Sequence, residues 1–92
     1  MKVEVSDAAR RDLAAAFVYL AERNPRAARA TRSAIRNAIL GLRQFPNRGR
    51  PAESPGTREL IVGKTPYVVV YSVSASVIFI ARIRHTKQDP IP

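Results

Sequence analysis

Between Arg58 and His85 the chain reads as three short runs rich in Val, Ile, Tyr and Phe, broken at Gly63-Lys64-Thr65-Pro66 and at Ser74-Ala75-Ser76. Runs of this composition separated by turn-forming clusters are strands, and tight connections between successive strands give an antiparallel meander. This predicts strands over 57–63, 66–74 and 76–86, with 87–92 as a proline-limited tail. Almost every polar group of chemical interest in the last third of the sequence falls on these strands or directly after them: Arg58, Tyr67, Tyr71, Arg82, Arg84, His85 and Lys87. The residues before the meander must cover one of its faces.

Those residues are suited to that task. Lys2-Val3-Glu4-Val5 alternates polar and apolar residues, as a short strand over 2–5 does. Ser6 and Asp7 then supply an N-cap and a first-turn acid for a helix over 6–23. Ala9, Leu13, Ala16, Phe17 and Leu20 recur along it at spacings of three and four, forming a core stripe that Arg10, Arg11 and Asp12 miss. Asn24-Pro25 closes this helix and opens a second one over 25–45. There Ala28, Thr31, Ile35, Ala38, Ile39, Leu42 and Phe45 point toward the sheet, and Arg29, Arg32, Arg36 and Arg43 form a row on another side. Such a row is either a solvated face or a ridge for an anionic partner. Residues 46–56, with three prolines and two glycines, are expected to be irregular.

Alternation within the last two strands sets a further expectation. Tyr67, Val69, Tyr71 and Val73 share one side, and Val77, Phe79, Ala81, Ile83 and His85 share another series against Ile78, Ile80, Arg82 and Arg84. Both sheet faces then look largely apolar. One pair of helices covers only one of them, so the other face calls for a partner.

Ninety-two residues make one domain, 1–92, of the α+β class: a short N-terminal strand, a helical hairpin and the meander, in the order β-α-α-β-β-β. With no cysteine and one histidine, neither a disulfide framework nor a metal centre is expected, and nothing suggests a cofactor. No apolar run approaches the ~20 residues of a membrane span and no signal peptide opens the chain, so the expectation is a cytoplasmic protein without a membrane partner. Thirteen arginines and three lysines against seven acids give a net charge of +9, which favours a polyanion or an acidic protein as partner.

Several short stretches occur together in a familiar order. They are Ser6-Asp7-Ala8-Ala9-Arg10-Arg11-Asp12-Leu13, Phe45-Pro46-x-x-Gly49, Arg58-Glu59-Leu60, Pro66-Tyr67-x-x-x-Tyr71 and Ile83-Arg84-His85-Thr86-Lys87-Gln88-Asp89. In this order and spacing the chain resembles the RelE/ParE superfamily, the toxins of type II toxin–antitoxin modules. The resemblance implies a cognate antitoxin with an acidic, partly disordered C-terminal segment. RelE-like members are ribosome-dependent mRNA endoribonucleases, for which Arg58, Arg84, His85 and Lys87 are the candidates here. ParE-like members poison DNA gyrase by protein–protein contact. Two departures favour the ParE-like branch: Val68 stands where nuclease members commonly carry an Arg, and Thr86, not Tyr, follows His85. Glu53 falls near the place of a loop carboxylate in one nuclease subgroup. On this reading Arg29, Arg32, Arg36, Arg58, Tyr67, Tyr71, Arg82, Arg84 and His85 are candidates for contact with antitoxin or target.

Overall fold

The computed structural model describes residues 1–86, so Lys87 and the tail over 87–92 lie outside the described residues. The elements are β1 (Lys2–Val5), α1 (Asp7–Arg23), α2 (Pro25–Gly41), β2 (Arg50–Pro51), β3 (Arg58–Ile61), β4 (Tyr67–Val73) and β5 (Val77–His85). They form one five-stranded sheet in the order β1-β5-β4-β3-β2, with the helices packed on one face.

The helical hairpin forms for local reasons. Ser6 Oγ accepts the Ala9 amide at 2.9 Å, satisfying a donor that the first turn leaves without an intrahelical partner, and Asp7 adds a favourable first-turn charge. A single residue joins the helices. The Asn24 amide donates to Leu20 O at 2.7 Å to end α1, and its Oδ1 accepts from Ala27 N at 3.1 Å to begin α2, with Pro25 at the first helical position. The second helix is shorter than its apolar periodicity predicts: it stops at Gly41, and Leu42 is buried from the following turn. Phe45, expected to face the sheet, is instead 61% exposed because it lies beyond the last helical turn.

The meander is antiparallel as expected, while β1 adds to it in parallel on the far side of β5, pairing Lys2 through Val5 with Val77 through Ile80. The sheet is therefore mixed. The 46–56 loop, expected to be irregular, contributes the two-residue strand β2 against Arg58 and Glu59. Pro51 is tolerated because that strand is a sheet edge.

One feature of β5 overturns the expected alternation. Val70 pairs with Arg82 but Tyr71 pairs with Ile80, so Ala81 is an extra residue on β5, a β-bulge. The two-residue period changes phase there. Ile78 and Ile80 share the helix-covered face with Ile83 and His85, and Val77 and Phe79 fall with Arg82 and Arg84. The covered face thus collects Tyr67, Val69, Tyr71, Ile78, Ile80 and Ile83, packed against Ala9, Ile35 and Leu42. Each large aliphatic side chain buried there contributes ~1.5–3 kcal/mol. The other face is less apolar than simple alternation suggests. It mixes Val68, Val70, Ile61 and Phe79 with Arg50, Glu59, Arg82 and Arg84, and only Ile61 (56%) and Phe79 (40%) are strongly exposed among its large apolar residues.

Candidate functional site

The covered face of the sheet ends in a cleft beside the middle of α1. Asp12, Ala15, Ala16 and Tyr19 line one wall, and Tyr67, Ile83 and His85 line the other, around a volume of about 520 Å³. On α1 these residues recur at three and four, one turn edge away from the core stripe. On the sheet, Tyr67 and His85 are directly paired across β4 and β5, and their rings meet edge to face with centroids 5.2 Å apart. Tyr67 is nearly buried, and that burial, with Tyr19 nearby, pushes its phenol above the usual range. Tyr19 is half exposed, its ring covered on one side by the Arg23 guanidinium at 3.7 Å.

Asp12 closes one end of this cleft. Its carboxylate accepts from Arg82 Nε at 2.8 Å and Nη2 at 2.9 Å and from the Ile83 amide at 2.9 Å. Burial opposes its ionisation, but the Arg82 pair, the Ile83 hydrogen bond and the charge of Arg11 outweigh it, so the carboxyl titrates below the ordinary aspartate value. The same contact raises Arg82 above its ordinary value. β1 ends at Val5, opposite Ile80, and beyond it the free edge of β5 is met by side chains: Ser6 Oγ donates to Ala81 O at 2.7 Å and Asp12 takes the Ile83 amide. Neither Asp12 nor Tyr19 stood out in the sequence as a site residue. The signal available was their seven-residue separation on a predicted helix, which places both on one stripe beside the core.

The other candidate residues are distributed rather than gathered. Arg58 opens β3 and donates through Nη1 to Gly49 O at 2.6 Å and Asn47 O at 3.4 Å, fastening the loop that follows α2. Arg84 lies on the open face and pairs through Nη2 with Glu59 Oε2 at 2.8 Å, while Arg50 reaches the other oxygen at 3.5 Å. Since Glu59 is on β3 and Arg84 on β5, this pair bridges over β4 at Val68 and Val70, which accounts for the 7% exposure of Val68. His85 faces the covered side, away from Arg84, its neighbour in sequence. Arg58 and His85 pair with Tyr71 and Tyr67 respectively, four residues apart along β4 and on opposite flanks of it, so strand geometry puts their backbones roughly 16 Å apart. Arg29, Arg32 and Arg36 are exposed along α2, with the Arg32 guanidinium 5.1 Å from the Phe17 ring.

Tyr71 corrects an expectation. Offered as a contact residue, it is fully buried, and its hydroxyl donates to Pro46 O at 2.8 Å and accepts from Gly49 N at 2.9 Å. Gly49 has no room for a side chain: a Cβ there would lie 2.7 Å from Glu59 O and 2.8 Å from the Tyr71 hydroxyl. The Phe45-Pro46-x-x-Gly49 motif, Arg58 and Tyr71 are thus one structural clasp.

A family described as the ParE toxin of the type II toxin–antitoxin system parDE matches residues 3–90. The chain belongs to the ParE toxin family. Among its relatives, Toxin RelE1 of Caulobacter vibrioides is 38% identical over 85 residues, covering 90% of each chain. Toxin RelE2 of the same organism is 38% identical over 74 residues, covering 80% of this chain and 82% of that one. In three dimensions the toxin matches a chain from the chromosomal ParDE toxin–antitoxin system of P. aeruginosa with a TM-score of 0.85, 28% identity and coverage of 92% and 95%. As a toxin of a type II module, the chain has a cognate antitoxin as its partner. Among the described residues no helix is long and apolar enough to cross a membrane.

Proposed function

We propose that the toxin acts in the cytoplasm by contact with DNA gyrase, not by a reaction of its own, and that its antitoxin neutralises it with an acidic segment. One observation carries this reading: Arg58, Arg84 and His85, the described residues that a nuclease would use, point to three different places. RNA cleavage through the 2′-hydroxyl needs a base, a phosphate donor and an acid around one phosphate. Here Arg58 fastens a loop, Arg84 is neutralised by Glu59 on one face, and His85 lines a cleft on the other. The test is a gyrase assay with purified toxin beside a ribosome-programmed translation reaction. Gyrase-linked DNA breaks with intact message uphold the reading, and they persist in His85→Ala.

A second reading has its own support. The relatives named RelE1 and RelE2, and an aromatic cleft holding His85, favour a ribosome-dependent endoribonuclease with Arg58, Arg84, His85 and Lys87 as working residues. Ribosome-dependent message cleavage that disappears in His85→Ala would establish it in place of the first.

A further inference from the structure

The longest uniformly charged stretch of the molecule starts beside the cleft at Arg23 and runs away from it along α2. Between residues 23 and 52 there are eight arginines and no acidic residue. Four of the eight are engaged: Arg23 with Glu22 and Tyr19 O, Arg32 with the Phe17 ring, Arg43 with Met1 O, and Arg50 with Glu59. Among the described residues Arg26, Arg29, Arg36 and Arg48 form no ion pair. On α2 the 100° turn per residue places Arg29, Arg32 and Arg36 within about 60° of one another, along ~10 Å of helix axis. Arg26, Ser33 and Asn37 continue the same exposed side.

We infer that this side of α2 is a docking ridge for the phosphate backbone of duplex DNA, read without regard to base sequence. Two features select a phosphate backbone over an acidic protein. Protein interfaces are anchored by buried aromatic and large aliphatic side chains. No large apolar side chain is exposed between Arg26 and Asn37; Leu40, 43% exposed, stands one turn beyond Arg36 at the far end of the helix, so the ridge itself offers no anchor. What it does offer is a set of donors: guanidinium groups, a hydroxyl and an amide, the groups that hold phosphates, with Ala30 small enough to let a backbone approach. Duplex rather than single-stranded nucleic acid follows from the absence of exposed aromatic residues on this helix, since single strands are held by stacking. The inference rests on gyrase as the target in one respect. Gyrase works on a bound DNA segment, and a toxin gripping that segment through α2 keeps the sheet face and the cleft free for protein contact.

The experiment titrates a labelled 20-base-pair duplex with purified toxin, without gyrase, over a series of salt concentrations. Four arginines neutralising four phosphates give a slope of log K against log salt of about −3.6. Arg29→Ala with Arg36→Ala lowers the slope by about 2 and weakens binding at low salt by at least tenfold, whereas Arg29→Lys with Arg36→Lys keeps the slope. All four substitutions are at exposed positions, and unchanged thermal melting verifies the fold. No binding at 50 mM salt, an unaltered slope in the double alanine variant, or tighter binding to an RNA duplex of equal length overturns the inference. Because free DNA is the probe, a failure here is separate from a failure of the gyrase reading, which is scored by gyrase-linked DNA breaks alone.

Discussion

Two tyrosines on β4, four residues apart and on the same side of the strand, meet opposite fates. Tyr71 lies where α2 turns back over the sheet. It is sealed, and both hydrogen-bonding capacities of its hydroxyl are used on the Pro46–Gly49 loop. Tyr67 lies where α1 stands off from the strand ends, and it looks into a cleft shared with Tyr19 and His85. The same residue type in the same register is a rivet at one end and part of a recess at the other. The difference comes from what the chain places above each: a close-packed proline–glycine loop, or a helix wall of alanines. Alanine is the smallest residue that a helix accepts readily, so Ala15 and Ala16 keep the recess open at no cost to the helix.

The sharpest way to break this contrast is Tyr71→Ala, which empties a filled site and cuts the loop loose. It should lower unfolding free energy by ~3–5 kcal/mol in a urea titration. Gly49→Ala tests the same clasp from the other side, where the added carbon meets a carbonyl and the tyrosine ring. A loss of ~1–3 kcal/mol is expected, and a neutral result would mean the loop is not pressed onto β4.

The Asp12–Arg82 pair is next. The folded carboxyl titrates below its unfolded value, so its contribution is complete above the unfolded pKa of ~3.9 and fades as pH falls through the lower folded value. Asp12→Asn should cost ~1–2 kcal/mol at pH 7 and flatten the decline in melting temperature below pH 4. An unchanged acid profile would show that the carboxylate does not hold the β5 edge. The finest comparison, which ends on the smallest effect, concerns the hydroxyls alone. Tyr71→Phe strands the buried Gly49 amide and should cost ~1–3 kcal/mol, while Tyr67→Phe should stay within ~0.5 kcal/mol. Equal costs would erase the distinction between the two ends.

Much of this was legible beforehand. The hairpin was written in Ser6, Asn24 and Pro25, and the meander in its β-branched runs and turn clusters. The family likeness was carried by the Pro46-x-x-Gly49 and terminal Arg84-His85 stretches. What alternation did not reveal is the Ala81 bulge, because one added residue leaves local composition unchanged and shifts only the phase of the pairing beyond it. That omission made the open face look more apolar than it is. The parallel sense of β1 was likewise hidden, since four alternating residues pair equally well in either direction. Periodicity alone extends the second helix over 25–45, because Leu42 and Phe45 continue its period after the backbone has left it at Gly41. The site candidates split along the same line. Tyr67 and His85 converge because strand pairing brings them opposite each other, while Arg58 and Tyr71 were drawn into holding a loop whose path no periodicity describes.

The manner in which β1 stops short has one more consequence. A strand with open amides is a template on which another copy of the same chain can grow, and a toxin released from its antitoxin would be exposed to that hazard. Ser6 and Asp12 stand in for the missing strand over Ala81 and Ile83. The helix that builds the recess therefore also denies β5 a self-propagating edge, and stripping those two side chains should show first as fibril or aggregate growth rather than as lost toxicity.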